Sequence, residues 1–125
     1  GREQFNLDWV ESNLAGGEPA ANVQATLLAL SATSIASAIE RWCGMPDELA
    51  VCGGGAHNST LLKHLSLLLP NTRIITSDVL GIGVDWVEAA AFAWLARQNL
   101  MGLPGNLPAV TGARGERILG AVYPR

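Results

Sequence analysis

The chain has 125 residues, 49% of them hydrophobic, and a formal net charge of −3 without long runs of either sign. That is one domain's worth of sequence, or part of a larger domain, with enough apolar material for a sizeable core. The charge excludes the electrostatic footprint of a nucleic-acid binder and of a polybasic membrane-surface protein.

No apolar run approaches the ~20 residues of a membrane span. The N-terminal Gly1-Arg2-Glu3-Gln4-Phe5 lacks the apolar centre of a signal peptide. It also begins without methionine, as a processed or truncated piece would. The expected setting is cytoplasmic, with neither nucleic acid nor membrane as partner. Cys43 and Cys52 are too few and too far apart for a zinc or thioredoxin-type motif. His57 and His64 have no metal-ligand partner at a useful spacing and read as surface or structural residues. No metal site is expected.

In chain order, Phe5, Trp9, Val10 and Leu14 suit a short amphipathic helix over Phe5 to Leu14. A connector through Gly16, Gly17 and Pro19 leads to the longest helical signal, about Ala20 to Cys43. There Val23, Leu27, Leu30, Ile35, Ile39 and Trp42 recur at helical intervals. Pro19 before it and Gly44-Met45-Pro46 after it are the expected punctuation. Leu49 to Cys52 reads as a short buried strand, with the Cys52 thiol a small hydrophobe.

Gly53-Gly54-Gly55 follows that strand, and a helix of roughly Ser59 to Leu69 follows the glycines, with Asn58 as N-cap and Pro70 as stop. Glycines at such a junction open backbone angles closed to other residues, and without Cβ they let a flat or charged ligand reach the main chain. The free N–H groups of the helix's first turn point into the same space. A tight turn with no ligand is the competing reading. The element is not a Walker A loop, because no Gly-Lys-Ser/Thr follows. Nor is it the dinucleotide fingerprint, whose last glycine is replaced by Asn58.

Arg73 to Thr76 is a second short strand, so strand, helix and strand imply a parallel crossover, with ligands expected at the carboxyl ends of the strands. Ser77 to Val84 is a loop, and Asp85 to Leu100 a final helix dense in alanine, suited to close approach of neighbouring backbone. Asp85-Trp86-Val87-Glu88 has the form of a capping box, and on spacing alone Glu88 belongs to that cap. The tail after Gly102 is proline-punctuated, with a possible extended segment over Ile118 to Tyr123. Two strands are a thin sheet for so many helices. The chain therefore reads as part of a larger α/β protein.

Six motifs occur in order: Gly1-Arg2-Glu3-Gln4-Phe5-Asn6-Leu7, Thr26-Leu27, Cys52-Gly53-Gly54-Gly55-Ala56-His57-Asn58, Glu88-Ala89-Ala90-Ala91-Phe92-Ala93-Trp94-Leu95-Ala96, Leu103-Pro104-Gly105-Asn106-Leu107-Pro108 with Val110-Thr111-Gly112-Ala113, and Gly120-Ala121-Val122-Tyr123-Pro124. Together they resemble the C-terminal third of the anhydro-N-acetylmuramic acid kinases, bacterial cell-wall-recycling enzymes, across essentially the whole chain. The resemblance implies an actin-like ATPase (ribonuclease H-like) fold of the hexokinase–actin–heat-shock-chaperone superfamily, with residues 1–125 a C-terminal segment of a two-domain sugar kinase. It implies ATP and Mg²⁺ as cofactors, a sugar substrate, and a homodimer for the full-length enzyme. By resemblance, Gly53, Gly54 and Gly55 line the nucleotide, and Asn58 fixes the turn or contacts it. Glu88 faces the anhydro sugar, which reverses the reading from spacing. The phosphate loop, the Mg²⁺ site and the aspartate that activates water belong to the N-terminal part, outside this chain, so the chain alone is expected to be inactive. The alternative is a stand-alone ATP-binding module used for interaction, as in actin and the chaperones. A weaker third reading is a Rossmann-like dinucleotide protein.

Overall fold

Asn6 sets the first helix. Its Oδ1 accepts the N–H of Trp9 at 2.9 Å, which caps α1 (Leu7–Ser12), and Asp8 in the first turn suits the positive end of the helix dipole. Phe5 meets Trp9 edge-on, with ring centroids 5.0 Å apart. The helix is shorter than Phe5 to Leu14. The Asn13 side chain donates back to the Trp9 carbonyl at 2.8 Å and closes its last turn.

The computed structural model describes residues 3–123 and divides into two compact units. The first contains Gly1–Asp47 and Thr60–Thr72, the second Glu48–Ser59 and Arg73–Arg125. The motif residues Gly1, Arg2 and Pro124 lie outside the described residues.

In the first unit, the Glu18 carboxylate accepts the N–H groups of Ala15 (2.7 Å) and Gly16 (2.9 Å). The Ala15 N–H foremost, with the backbone N–H of Glu18 itself and that of Gly16, holds the carboxyl below the usual carboxylate range. Pro19 then leads into α2 (Ala20–Cys43), whose bounds are those expected, and Gly44 ends it at φ +72°. Trp9 and Leu14 of the N-terminal segment flank a groove of about 170 Å³ with Val23 and Leu27 of α2. Ala32 and Ala36, four residues apart and so on one face, are buried in this unit. So are Leu65, on α3 (Ser59–Leu68), and Leu69 just after it. Thr72 is buried as well, and its hydroxyl donates to the Pro46 carbonyl at 2.7 Å.

The 24 residues of α2 require a correction. The helix is long enough and apolar enough to cross a membrane by length and composition. Counting apolar runs misses this, because Ser and Thr interrupt the runs without making the helix polar. Thr26 and Ser31 turn their hydroxyls back onto the carbonyls four residues earlier, at 2.8 and 2.9 Å.

In the second unit, β1 (Glu48–Val51) and β2 (Arg73–Thr76) pair in parallel, from Glu48 opposite Arg73 to Val51 opposite Thr76. Glu48 and Arg73 also form an ion pair. The strand expected at Leu49 to Cys52 is thus shifted by one residue. It is not buried either: Ala50 is exposed and the other three residues of β1 are half-buried, while Cys52 lies beyond the strand and is exposed. The physical reason is that each strand has one hydrogen-bonded neighbour, so the sheet offers little to be buried against.

After β2, Ser77–Leu80 forms a 3₁₀ turn closed by left-handed Gly81. The Ser77 hydroxyl is buried without a hydrogen-bond partner among the described residues. The last long helix, α4, runs Val87–Leu100 rather than from Asp85. Trp86 stands at its N-cap in a helical conformation, with no side-chain cap bond, so the capping box is not formed. No residue of α4 is buried, so the close approach expected of its alanines is not made among the described residues.

The tail is wired by amide side chains rather than by a strand. Gln98 donates to the Pro104 carbonyl (3.0 Å), and Asn99 to the carbonyls of Leu119 (2.8 Å) and Gly120 (3.2 Å). Asn106 accepts the Arg117 N–H at 2.6 Å and donates to the Gly115 carbonyl at 3.1 Å. Between these, α5 (Pro108–Thr111) makes a single turn. Gly105 sits in a tight space: a Cβ there would stand 3.0 Å from Leu95 Cδ2 and 3.4 Å from the Leu119 side chain, so those side chains would have to give by a few tenths of an ångström. The possible extended segment over Ile118 to Tyr123 forms no strand.

Candidate functional site

Parallel pairing places the segments that follow β1 and β2 at the same end of the sheet. Beyond β1, Cys52 is extended, and Gly53–His57 forms a 3₁₀ turn. Gly53 enters it at φ +66°, a left-handed conformation that costs a side-chain-bearing residue about 1–2 kcal/mol. Its N–H donates to the Val84 carbonyl at 2.8 Å. At the far end of the turn the Asn58 N–H returns to the Gly55 carbonyl at 3.1 Å.

An open cleft of about 450 Å³ lies beside this turn, within the range of small-molecule sites. Cys52, Gly53 and Gly54 line it, together with Asp85, just ahead of α4, and Glu88, in the first turn of α4. A Cβ built on Gly53 or Gly54 meets no atom within 4 Å, so main chain borders open space at both positions. Of the residues singled out from the sequence, Gly53, Gly54 and Glu88 therefore come together. Gly55 and Asn58 do not line this cleft.

Two carboxylates share the cleft in different states. Asp85 is engaged: His57 Nε2–H donates to its Oδ1 at 2.9 Å and its Oδ2 at 3.1 Å. An ionised carboxylate only accepts, so the ring nitrogen is the donor. Glu88, in the first turn of α4, is exposed, and among the described residues no hydrogen bond or ion pair engages its side chain. The His57–Asp85 pair is the feature that sequence reasoning misses. The two residues are 28 positions apart, and the only signal was that both follow strands whose ends meet. No group of three or more His, Cys, Asp or Glu side chains gathers among the described residues in a way that would hold a metal ion.

A family model described as anhydro-N-acetylmuramic acid kinase matches residues 1–125. The chain belongs to the anhydro-N-acetylmuramic acid kinase family. The anhydro-N-acetylmuramic acid kinase of Nitrosomonas europaea is 55% identical over 124 residues, covering 99% of this chain and 34% of the relative. That of Thiobacillus denitrificans is 56% identical over 128 residues, with the same coverage. The kinase of Pseudomonas fluorescens is 52% identical over 126 residues. The chain thus spans about a third of the length of the curated relatives it matches.

Proposed function

We propose that this chain is the nucleotide- and sugar-facing C-terminal segment of an ATP-dependent kinase. That kinase opens the 1,6-anhydro ring of anhydro-N-acetylmuramic acid with water and phosphorylates the freed 6-oxygen. The observation that carries this reading is the shared cleft: Gly53 and Gly54 line it with bare main chain, and Glu88 lines it with a carboxylate that no hydrogen bond or ion pair engages among the described residues. Family membership supplies the substrate class. In the full-length enzyme the two strands extend into the sheet of an actin-like ATPase fold, and two copies form a homodimer. Such a kinase works in the cytoplasm without nucleic-acid or membrane partners, and α2, of which only Ala32 and Ala36 are buried among the described residues, is then covered by the rest of the full-length protein.

Each residue has a part. Gly53 and Gly54 let a flat adenosine group rest against the backbone, since both line the cleft and neither carries a Cβ. Gly55 and Asn58 hold the turn through the Asn58 N–H to Gly55 carbonyl bond. Glu88 orients sugar hydroxyls or steers the water that attacks the anomeric carbon, as carboxylates do in glycoside hydrolysis. ATP supplies the phosphoryl group when bound, and its transfer depends on positioning and charge stabilisation at the γ-phosphate. Those parts, with the Mg²⁺ ligands and the water-activating aspartate, lie in the two-thirds of the family's length outside this chain.

The test is coupled ADP release with anhydro-N-acetylmuramic acid, comparing this chain alone with the full-length protein. Turnover is expected only in the latter. Glu88→Gln in the full-length protein should lower kcat by at least about 10²-fold, the usual contribution of a positioned acid or base, while ATP affinity stays within about twofold. Loss of fold without a specific kinetic defect would return Glu88 to a structural role. Nucleotide binding without sugar-dependent turnover would favour the stand-alone binding module.

A further inference from the structure

The 3₁₀ turn Gly53–His57 is held at both ends by two consecutive residues just ahead of α4. At its start the Gly53 N–H donates to the Val84 carbonyl at 2.8 Å, and Val84 is buried. At its end the His57 ring donates to both oxygens of Asp85, at 2.9 and 3.1 Å. One tether is main chain and survives any substitution short of proline. The other is made of two side chains and can be removed. Gly53 and Gly54 border the cleft from the tethered turn, and Glu88 enters it three residues after Asp85.

We propose that His57 and Asp85 form a positioning pair that fixes the glycine turn against the start of α4, so that the nucleotide-facing main chain and Glu88 keep one mutual geometry. The pair also occupies one of the two carboxylates in the cleft and leaves Glu88 as the one unengaged among the described residues. This rests on the kinase reading given above for the functional part of the claim, not for the tether itself. Both side chains are well exposed, at 60% and 66%, and exposed pairs contribute little to global stability. Breaking the pair therefore loosens the turn without unfolding the protein, which makes the two effects separable.

Two measurements test it. Amide hydrogen exchange on this chain compares wild type with His57→Gln, Asp85→Asn and the exchanged double variant His57→Asp/Asp85→His. The Gly54 to His57 amides should exchange at least about threefold faster in each single variant and return toward wild type in the exchanged pair, with Leu65 and Leu69 unchanged. Steady-state kinetics on the full-length protein should show KM for ATP and KM for the sugar rising together, at least threefold, in the single variants, with recovery in the exchanged pair. Unchanged exchange in the turn overturns the tether. Faster exchange with unchanged kinetic constants overturns its positioning role. Wild-type protein without sugar-dependent ADP release overturns the kinase reading and the kinetic half of the proposal with it, while the exchange data still decide the tether.

Discussion

Substituting alanine at Gly53 and, separately, at Gly54 divides the backbone role of these residues from their ligand role. Neither Cβ would meet an atom within 4 Å, so no clash enters the comparison. Gly53 sits at φ +66°, and forcing alanine into that region costs about 1–2 kcal/mol. Gly54 has no positive φ, and alanine there should instead stabilise by about 0.4–1 kcal/mol by restricting the unfolded chain. The two variants should therefore differ by about 2 kcal/mol in urea denaturation followed by tryptophan fluorescence, with Gly53→Ala the less stable. Nucleotide affinity of the full-length protein, measured by calorimetry, should fall in both, because both glycines border the cleft. Gly54→Ala is the sharper test: stability at or above wild type, affinity reduced about tenfold, which is 1.4 kcal/mol. Equal destabilisation by the two substitutions would refute the turn geometry. Unchanged nucleotide affinity in Gly54→Ala would refute the idea that the ligand rests on this main chain.

Thr72→Val keeps the shape of a buried side chain but strands the Pro46 carbonyl that its hydroxyl serves, so a loss of about 1–3 kcal/mol is expected in denaturant titration. Asn106→Ala removes one accepted and one donated bond between residues 106 and 115–117, and should speed amide exchange at Arg117 by at least tenfold while α2 amides are unaffected. The Glu18 carboxyl is held below its unfolded range by N–H donors, so its contribution is present above the unfolded value and fades as pH falls through the lower folded one. In an NMR titration, the Ala15 and Gly16 amide shifts should follow Glu18 with a common midpoint below 4.5, the ordinary value, and Glu18→Gln should abolish that titration.

Much of the first unit is legible from punctuation. Pro19 and Gly44 bound α2 because one fixes a compatible φ and the other adopts a conformation that stops the helix. The start of α4 is not legible, since Asp85-Trp86-Val87-Glu88 satisfies a capping box in sequence while its carboxylate is drawn to His57. Local spacing loses to a partner that only the folded chain supplies. Burial of β1 fails for a related reason: an apolar run shows that a strand wants cover, not that cover is present. The tail has no period to read, because single amides at Gln98, Asn99 and Asn106 shape it. At the cleft, the bare glycines follow from their residue type. The proximity of Glu88 follows only from resemblance, as spacing alone gives it to the cap.

The hold of Asn99 on the end of the chain depends on an –NH₂ group facing two carbonyl oxygens. Deamidation would keep the outline of that side chain and reverse its polarity, setting a negative oxygen against both acceptors. An Asn99→Asp variant should thus hold residues 119–120 less tightly to α4, while the bonds of Gln98 and Asn106 still shape the rest of the tail.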